Sequence, residues 1–154
     1  EDFSIRTGPE WSPETIELAR FGVFAAKALK SNAIAIVESP SEGRYRLIGA
    51  GQGQPNRIES IAKLAIPRAR SVLESDAAAS GSGESETFVS SRLSEAILVS
   101  DAFFPFPDAI ESAAAAGIRN VVEPGGSLRD GEVSAKAKEL GVNLAFTGRR
   151  HFRH

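Results

Sequence analysis

The chain has 154 residues, enough for one compact domain, and its 18 basic and 20 acidic side chains give a net charge of −2. That balance gives no electrostatic reason to expect nucleic acid or an anionic membrane as a partner. Because cysteine is absent, a disulfide framework and a thiolate metal site are excluded, and a reducing cytoplasm is the simplest compartment. No apolar run reaches the ~20 residues that a membrane span needs.

The first long element is a predicted helix. Residues 12–14 (Ser-Pro-Glu) are typical of a helix start, because Ser caps exposed amides, Pro suits the first turn and Glu complements the helix dipole. Apolar residues at helical spacing, with Phe24 among those that widen the apolar face, predict a mostly buried helix to about Lys30.

A hairpin and a glycine-rich loop are predicted next. The apolar run at 33–37 predicts a buried strand, and the short turn at 39–43 predicts an antiparallel second strand at 44–48. The loop at 49–57 precedes a predicted helix at 58–70 and matches neither a P-loop nor a dinucleotide fingerprint. Its amides and arginine are candidates to hold an anion, although a plain hairpin-to-helix connection explains the glycines about as well.

The second half alternates regularly. Residues 75–94 are rich in Ser, Ala, Gly and Glu and predict a mobile surface loop or a short helix outside the core. Strands are then predicted at 96–99, 118–122 and 142–146, with helices at 108–116 and 131–140. The whole pattern, over residues 1–154, predicts a single α/β domain, a three-layer α/β/α sandwich with a mixed sheet.

Ligands of such sheets gather beyond the carboxyl ends of strands, which singles out the loops at 100–108, 123–129 and 147–154. The first packs three Phe and two Pro between two acids, and its stiff apolar walls suit a planar heterocycle. The alternative is a core plug in which Asp108 caps the next helix in a box with Glu111. The residues alone favour that alternative for Asp108.

Two further stretches carry candidate ligand groups. By default Lys30 complements the C-terminal dipole of the helix and Asn32 ends the helix, but the Asn32 amide also complements a ligand carboxamide. The final six residues hold three cations and both histidines, and Phe152 indicates that this tail is anchored. An anchored Arg150 is then a candidate phosphate ligand, whereas two histidines without a third ligand make a poor metal site.

Five motifs in the chain occur together and in order in one enzyme family. They are Lys-Ser-Asn at 30–32, the Gly-rich loop ending in Gln-x-x-Arg, Ser-Asp-Ala-Phe-Phe-Pro-Phe-x-Asp, Pro-Gly-Gly-Ser-x-Arg-Asp and the terminal Arg-His-Phe-Arg-His. Their combination resembles the C-terminal part of AICAR transformylase. The resemblance implies the second of two cytidine-deaminase-like subdomains of an enzyme that transfers formyl from 10-formyltetrahydrofolate to the nucleotide AICAR in purine (IMP) biosynthesis.

The resemblance assigns an AICAR site residue by residue. Asn32 would be the catalytic residue of this subdomain and would hydrogen-bond the carboxamide region of AICAR. Lys30 would bind the same substrate, Phe103 would line its base, and Arg150 would bind its phosphate.

The resemblance also assigns a folate site. Arg57, Ile58, Phe106 and Asp108 would face 10-formyltetrahydrofolate, which is a cosubstrate and not a tightly bound cofactor. Asp101 would belong to a site for a monovalent cation such as potassium.

The sequence departs from the family in ways that bear on activity. The family's catalytic Lys-His pair lies in the first subdomain, and this sequence contains no such pair. Pro107 replaces a common Arg, which removes a charge beside the expected folate site. The Gly-rich loop differs from the usual one, so its local backbone contacts are expected to differ as well. The chain is therefore expected to be inactive or weakly active alone, and to need a homo-oligomer or a complementary subdomain. The alternative is a non-catalytic AICAR- or folate-binding or regulatory domain.

Overall fold

A computed structural model describes residues 2–81 and 83–154 of the chain. The strands are β1 (Ser4–Ile5), β2 (Ile34–Ser41), β3 (Arg44–Gly51), β4 (Ile97–Ser100), β5 (Asn120–Glu123) and β6 (Asn143–Phe146). The helices are α1 (Pro13–Ala28), α2 (Arg57–Glu59), α3 (Ile66–Ala79), α4 (Ser85–Glu95), α5 (Asp108–Ala115) and α6 (Asp130–Glu139). A π-helical segment, Ser60–Ala65, joins α2 to α3 without a break.

The six strands form one sheet in the order β1-β6-β5-β4-β2-β3. The central strands β4, β5 and β6 are parallel, while β2 is antiparallel to both β4 and β3, and β1 is antiparallel to β6. The sheet is therefore mixed, as predicted. No helix in the part of the chain that the structure describes is long and apolar enough to cross a membrane.

Side chains alternate between the two faces of the sheet and build one apolar layer on each. In β2, Ile34 and Ile36 join the cluster beneath α3 to α6, whereas Ala35 and Val37 join the cluster beneath α1. Both faces are thus covered by helices. The predicted three-layer α/β/α sandwich is confirmed, and the cytidine-deaminase-like assignment within it stays a prediction.

Helix α1 begins as predicted but exposes one of its aromatic rings. The Ser12 hydroxyl accepts from the Thr15 amide at 3.2 Å and caps the helix. Gly22 lies against the sheet, where an added Cβ would be 2.6 Å from a Val99 methyl group. Phe24 follows two residues later, roughly 200° around the helix, and is 73% exposed. The prediction that Phe24 joins the buried face is wrong for this geometric reason.

Of the two alternatives predicted for 75–94, the structure shows a short helix and not a loop, and the prediction that this segment lies outside the core is wrong. Ser82 lies outside the described residues. Helix α3 continues to Ala79, and Ser85–Glu95 forms α4. Val89 and Leu93, four residues apart, are fully buried and fix α4 to the core. The polar composition reflects the solvent-facing side of a short helix that nevertheless contributes to the core.

The glycine-rich loop is shorter than predicted because its first glycines belong to β3. A Cβ at Gly49 would overlap the carbonyl oxygen of Ala65, and one at Gly51 would overlap that of Ser60. These glycines therefore let the π-helical backbone approach the strand closely. Their absent side chains serve packing between helix and sheet.

Candidate functional site

The loops predicted to carry ligand residues leave the same edge of the sheet. Ser100, Glu123 and Phe146 are the last residues of the parallel strands β4, β5 and β6. Strand β2 runs the opposite way, and its first residue, Ile34, pairs with Ser100. The turn that precedes β2 therefore reaches the same edge, which is where ligands bind in open α/β sheets.

Asp101 is the buried centre of this edge. Its carboxylate accepts from Arg57 Nη2 at 2.9 Å through Oδ1 and from the Ser31 hydroxyl through Oδ2. Its backbone carbonyl accepts from the His151 amide at 2.8 Å. Among the described residues there is no group of three His, Asp or Glu side chains suited to a metal ion. The monovalent cation at Asp101 stays a prediction, and the guanidinium already balances the carboxylate charge.

The turn that carries Lys30 and Asn32 is held by the segment after β3. The Lys30 amide donates to Gln52 Oε1 at 3.0 Å, and the Lys30 carbonyl accepts from the Gly53 amide at 3.1 Å. Asn32 Nδ2 donates to the Gln54 carbonyl at 2.9 Å. The altered Gly-rich loop thus positions Asn32, while the contact of Asn32 with a ligand stays a prediction.

Phe103 and Arg150, both assigned to AICAR, are in contact. The guanidinium carbon of Arg150 lies 5.1 Å from the centre of the Phe103 ring, within cation–π range. The tail that carries Arg150 is held to the turn before β2, because the Ser31 amide donates to the Arg153 carbonyl at 2.8 Å. The guanidinium of Arg57 also lies over the Phe152 ring at 5.5 Å. The predicted anchoring of the tail is confirmed.

The residues assigned to folate lie on two elements that touch. Helix α2, which begins with Arg57 and Ile58, packs against α5. Phe106 precedes α5, is 49% exposed and lies under the Arg129 guanidinium at 4.8 Å. Their contact with folate stays a prediction, and the Arg57 guanidinium is already engaged by Asp101.

Asp108 does not form the capping box that was the alternative to a ligand role. It is the first residue of α5 rather than the residue before it, and α5 has no side-chain cap. Its Oδ1 accepts from the amide of Ala109 at 2.9 Å. The residue is exposed, so its carboxylate faces solvent near Phe106. The capping alternative with Glu111 is wrong.

Glu123 was missed as a site residue by sequence reasoning. Its side chain is fully buried, and its Oε2 accepts from the Phe104 amide at 2.7 Å. Burial, and to a smaller extent the charge of Asp130, raise the pKa of Glu123 to about 8, against the lowering effect of the Phe104 and Gly125 amides and of the Arg57 charge. The signal that could have identified Glu123 is an acidic residue that directly follows two valines, at the carboxyl end of a predicted buried strand.

A cavity of about 440 Å³ lies at the opposite end of the sheet. Its lining includes Glu38, Arg92 and Asn120, which is the first residue of β5. The buried Glu38 carboxylate accepts from Arg46 and Arg92 at 2.7 Å each. Its charge is satisfied within the protein, and the cavity is at the amino ends of the parallel strands. The edge around Asp101 is therefore the better candidate site.

Comparison with known proteins places this geometry in a wider context. Residues 1–68 match the family model of the AICARFT/IMPCHase bienzyme. The bifunctional purine biosynthesis protein PurH of Mycobacterium marinum is 39% identical over 153 residues, which cover 99% of this chain and 24% of that protein. PurH of Oenococcus oeni is 39% identical over 99% of the chain, and PurH of Lactobacillus acidophilus is 38% identical over 100%. The chain is thus similar along nearly its whole length to the bifunctional purine biosynthesis proteins PurH, and spans about a quarter of theirs.

Proposed function

We propose that the chain forms the AICAR- and folate-binding part of a formyltransferase that acts in purine biosynthesis. The reaction would transfer formyl from 10-formyltetrahydrofolate to the amine of AICAR. The observation that carries the proposal is the convergence of segments 30–32, 100–108 and 147–154 at one sheet edge. It is supported by similarity to PurH proteins along 97% to 100% of the chain.

The proposed AICAR site consists of an aromatic ring, a guanidinium group and a side-chain amide. Phe103 offers its ring to the heterocycle, and Arg150, already lying over that ring, has further N–H donors for the phosphate. The side chain of Asn32 carries a donor and an acceptor that complement a carboxamide. Each group thus meets one chemical part of the nucleotide.

The proposed folate site adjoins it through α2 and α5. The half-exposed ring of Phe106 supplies an apolar wall for the pterin, and the exposed Asp108 carboxylate accepts from its N–H groups. Ile58 is half-buried beside Arg57 and adds apolar surface. We infer that folate binds across the two helices, with the formyl group directed toward Asn32.

Catalysis in this proposal needs a complementary subdomain. The amine of AICAR must lose a proton as it attacks, and acid–base assistance of this kind contributes about 10²- to 10⁴-fold. The sequence contains no Lys-His pair to supply it. That observation also favours a second candidate function, a non-catalytic domain that binds AICAR or folate.

The test is a formyl-transfer assay that follows tetrahydrofolate absorbance. The chain is assayed with AICAR and 10-formyltetrahydrofolate alone, and then mixed with a separately expressed first subdomain that carries the Lys-His pair. Turnover only on mixing, lost in Arg150→Ala and kept in Arg149→Ala, supports the split formyltransferase. AICAR binding without turnover in any mixture supports the binding domain, and absence of both turnover and binding contradicts both candidates.

A further inference from the structure

Glu123 is a buried carboxyl that the proposed binding roles leave unused. It ends β5, in the middle of the three parallel strands whose ends carry the site. Its Oε2 accepts from the Phe104 amide at 2.7 Å, and across the described residues its Oε1 accepts no hydrogen bond. The Gly125 amide also favours the charged form of the carboxyl, although it makes no hydrogen bond to Oε1. A buried carboxyl with one bond and one open oxygen calls for a functional explanation.

The bond to Phe104 falls at the centre of the aromatic loop. On one side, Phe103 lies beneath Arg150, and on the other, Phe106 lies beneath Arg129. The Phe104 ring itself is fully buried. Because one amide joins the two flanking segments, the group that fixes this amide also fixes the position of the rings on either side.

We propose that Glu123 is a positioning residue for the ligand site, whose buried side chain fixes the Phe104 amide and so holds Phe103 where the ring of the ligand binds. The inference rests on the proposed function for the identity of that ligand. Glu123 acts through Phe104 and is not itself in contact with AICAR.

The charge state of Glu123 gives the inference a distinctive consequence. Burial raises the pKa of this carboxyl to about 8, so the uncharged form prevails at neutral pH. The charged groups that act on it are Asp130 at the start of α6, which opposes ionisation, and Arg57 on α2, which favours it. Ionisation places a buried negative charge beside the aromatic loop, at the sheet edge that carries the proposed phosphate site. Binding of an anionic nucleotide should therefore weaken as pH rises through 8.

The first measurement is AICAR affinity by calorimetry between about pH 7 and about pH 9.5, where the phosphate keeps a constant charge because its second pKa is near 6. We expect the affinity of the wild-type chain to fall about tenfold across this range. Glu123→Gln, which keeps the acceptor oxygen but cannot ionise, should bind equally well at both ends. The control Glu139→Gln, at the far end of α6, should behave like the wild type.

A second measurement needs neither ligand nor variant. The amide resonance of Phe104 in the free wild-type chain should shift with a midpoint near pH 8. A Phe104 amide that does not titrate, or a Glu123→Gln variant that keeps the pH-dependent affinity, would overturn the inference. If the wild type binds no AICAR at any pH, the proposed function fails, and the amide titration alone then decides the role of Glu123.

Discussion

Arg57 donates to the Asp101 carboxylate across 2.9 Å, with side-chain exposures of 14% and 0%. Because the pair is buried, removal of one partner leaves the other charge without compensation. Arg57→Ala should therefore lower the free energy of unfolding by about 3 to 5 kcal/mol, measured by urea denaturation. The double variant Arg57→Ala/Asp101→Asn should lose less than the sum of the single variants, by about 0.5–3 kcal/mol.

The matched control for this cycle is the pair of Arg20 and Glu17 on α1, where both side chains are about half exposed. Arg20→Ala should change the unfolding free energy by less than about 1 kcal/mol. Strict additivity at Arg57 and Asp101, or an equal loss at Arg20, would show that the buried pair is not coupled as the geometry requires.

Gly51→Ala should destabilise the chain, because its Cβ would overlap the Ser60 carbonyl oxygen in the π-helical backbone. Overpacking of this kind costs about 1–3 kcal/mol, and a backbone atom cannot move aside as a flexible side chain can. Gly131→Ala is the control, since nothing lies within 4 Å of its Cβ position. Its position inside α6 should make that variant more stable by roughly 0.5–1 kcal/mol. Equal thermal midpoints for the two variants would contradict the proposed close approach.

The elements that sequence predicts well here are those with a strong local signal. The strands from Ile97, Asn120 and Asn143 follow from short apolar runs, and the start of α1 follows from the capping pattern at residues 12–14. Helix α4 has no such signal, because Val89 and Leu93 are its two buried residues and the polar remainder outweighs them in composition. Gly49 also resembles a loop residue until its distance to the helix backbone is known. These features depend on packing between segments far apart in the chain.

The candidate site shows the same division. The resemblance names Phe103 and Arg150 separately, and their contact at 5.1 Å emerges only from the fold. The family resemblance assigns no role to Glu123. Its importance depends on its burial and on its hydrogen bond with the Phe104 amide, 19 positions away in sequence. The sequence thus shows which functional groups the site residues carry. It does not show how deeply a residue at a strand end is buried or which residues it contacts.

The buried carboxyl of Glu123 should make stability depend on pH. Burial raises its pKa from 4.5 to about 8 in the folded state. Below pH 4.5 both states keep the proton, whereas from there to about 8 only the folded state must retain it. The contribution of this group to the free energy of unfolding therefore falls as pH rises through that window, and the loss is complete above the folded pKa.

Glu123→Gln should remove this part of the pH dependence. Relative to the wild type, the variant should gain about 5 kcal/mol of unfolding free energy on going from acid to alkaline pH, because each pH unit between 4.5 and about 8 contributes about 1.4 kcal/mol. Urea denaturation of both proteins at several pH values measures the difference. Parallel stability curves for wild type and variant would show that Glu123 ionises as an ordinary carboxyl.

Arg150 should determine nucleotide affinity through its shape as well as its charge. Arg150→Ala removes both, and loss of charge-assisted bonds worth about 1.5–3 kcal/mol should weaken AICAR binding roughly 10- to 100-fold. Arg150→Lys keeps the charge but loses the planar guanidinium that lies over Phe103. Its affinity for AICAR should therefore lie between that of the wild-type chain and that of Arg150→Ala. Calorimetry at constant ionic strength measures all three.

Arg149 provides the control, since it is the neighbouring exposed cation of the same tail. Arg149→Ala changes the net charge by the same amount as Arg150→Ala but removes no contact with Phe103. If AICAR binding depends on a specific phosphate contact, Arg149→Ala should bind within about threefold of the wild type. Equal losses in the two alanine variants, abolished by added salt, would instead indicate that the tail attracts the nucleotide through its overall charge, and Arg150 would lose its assigned role.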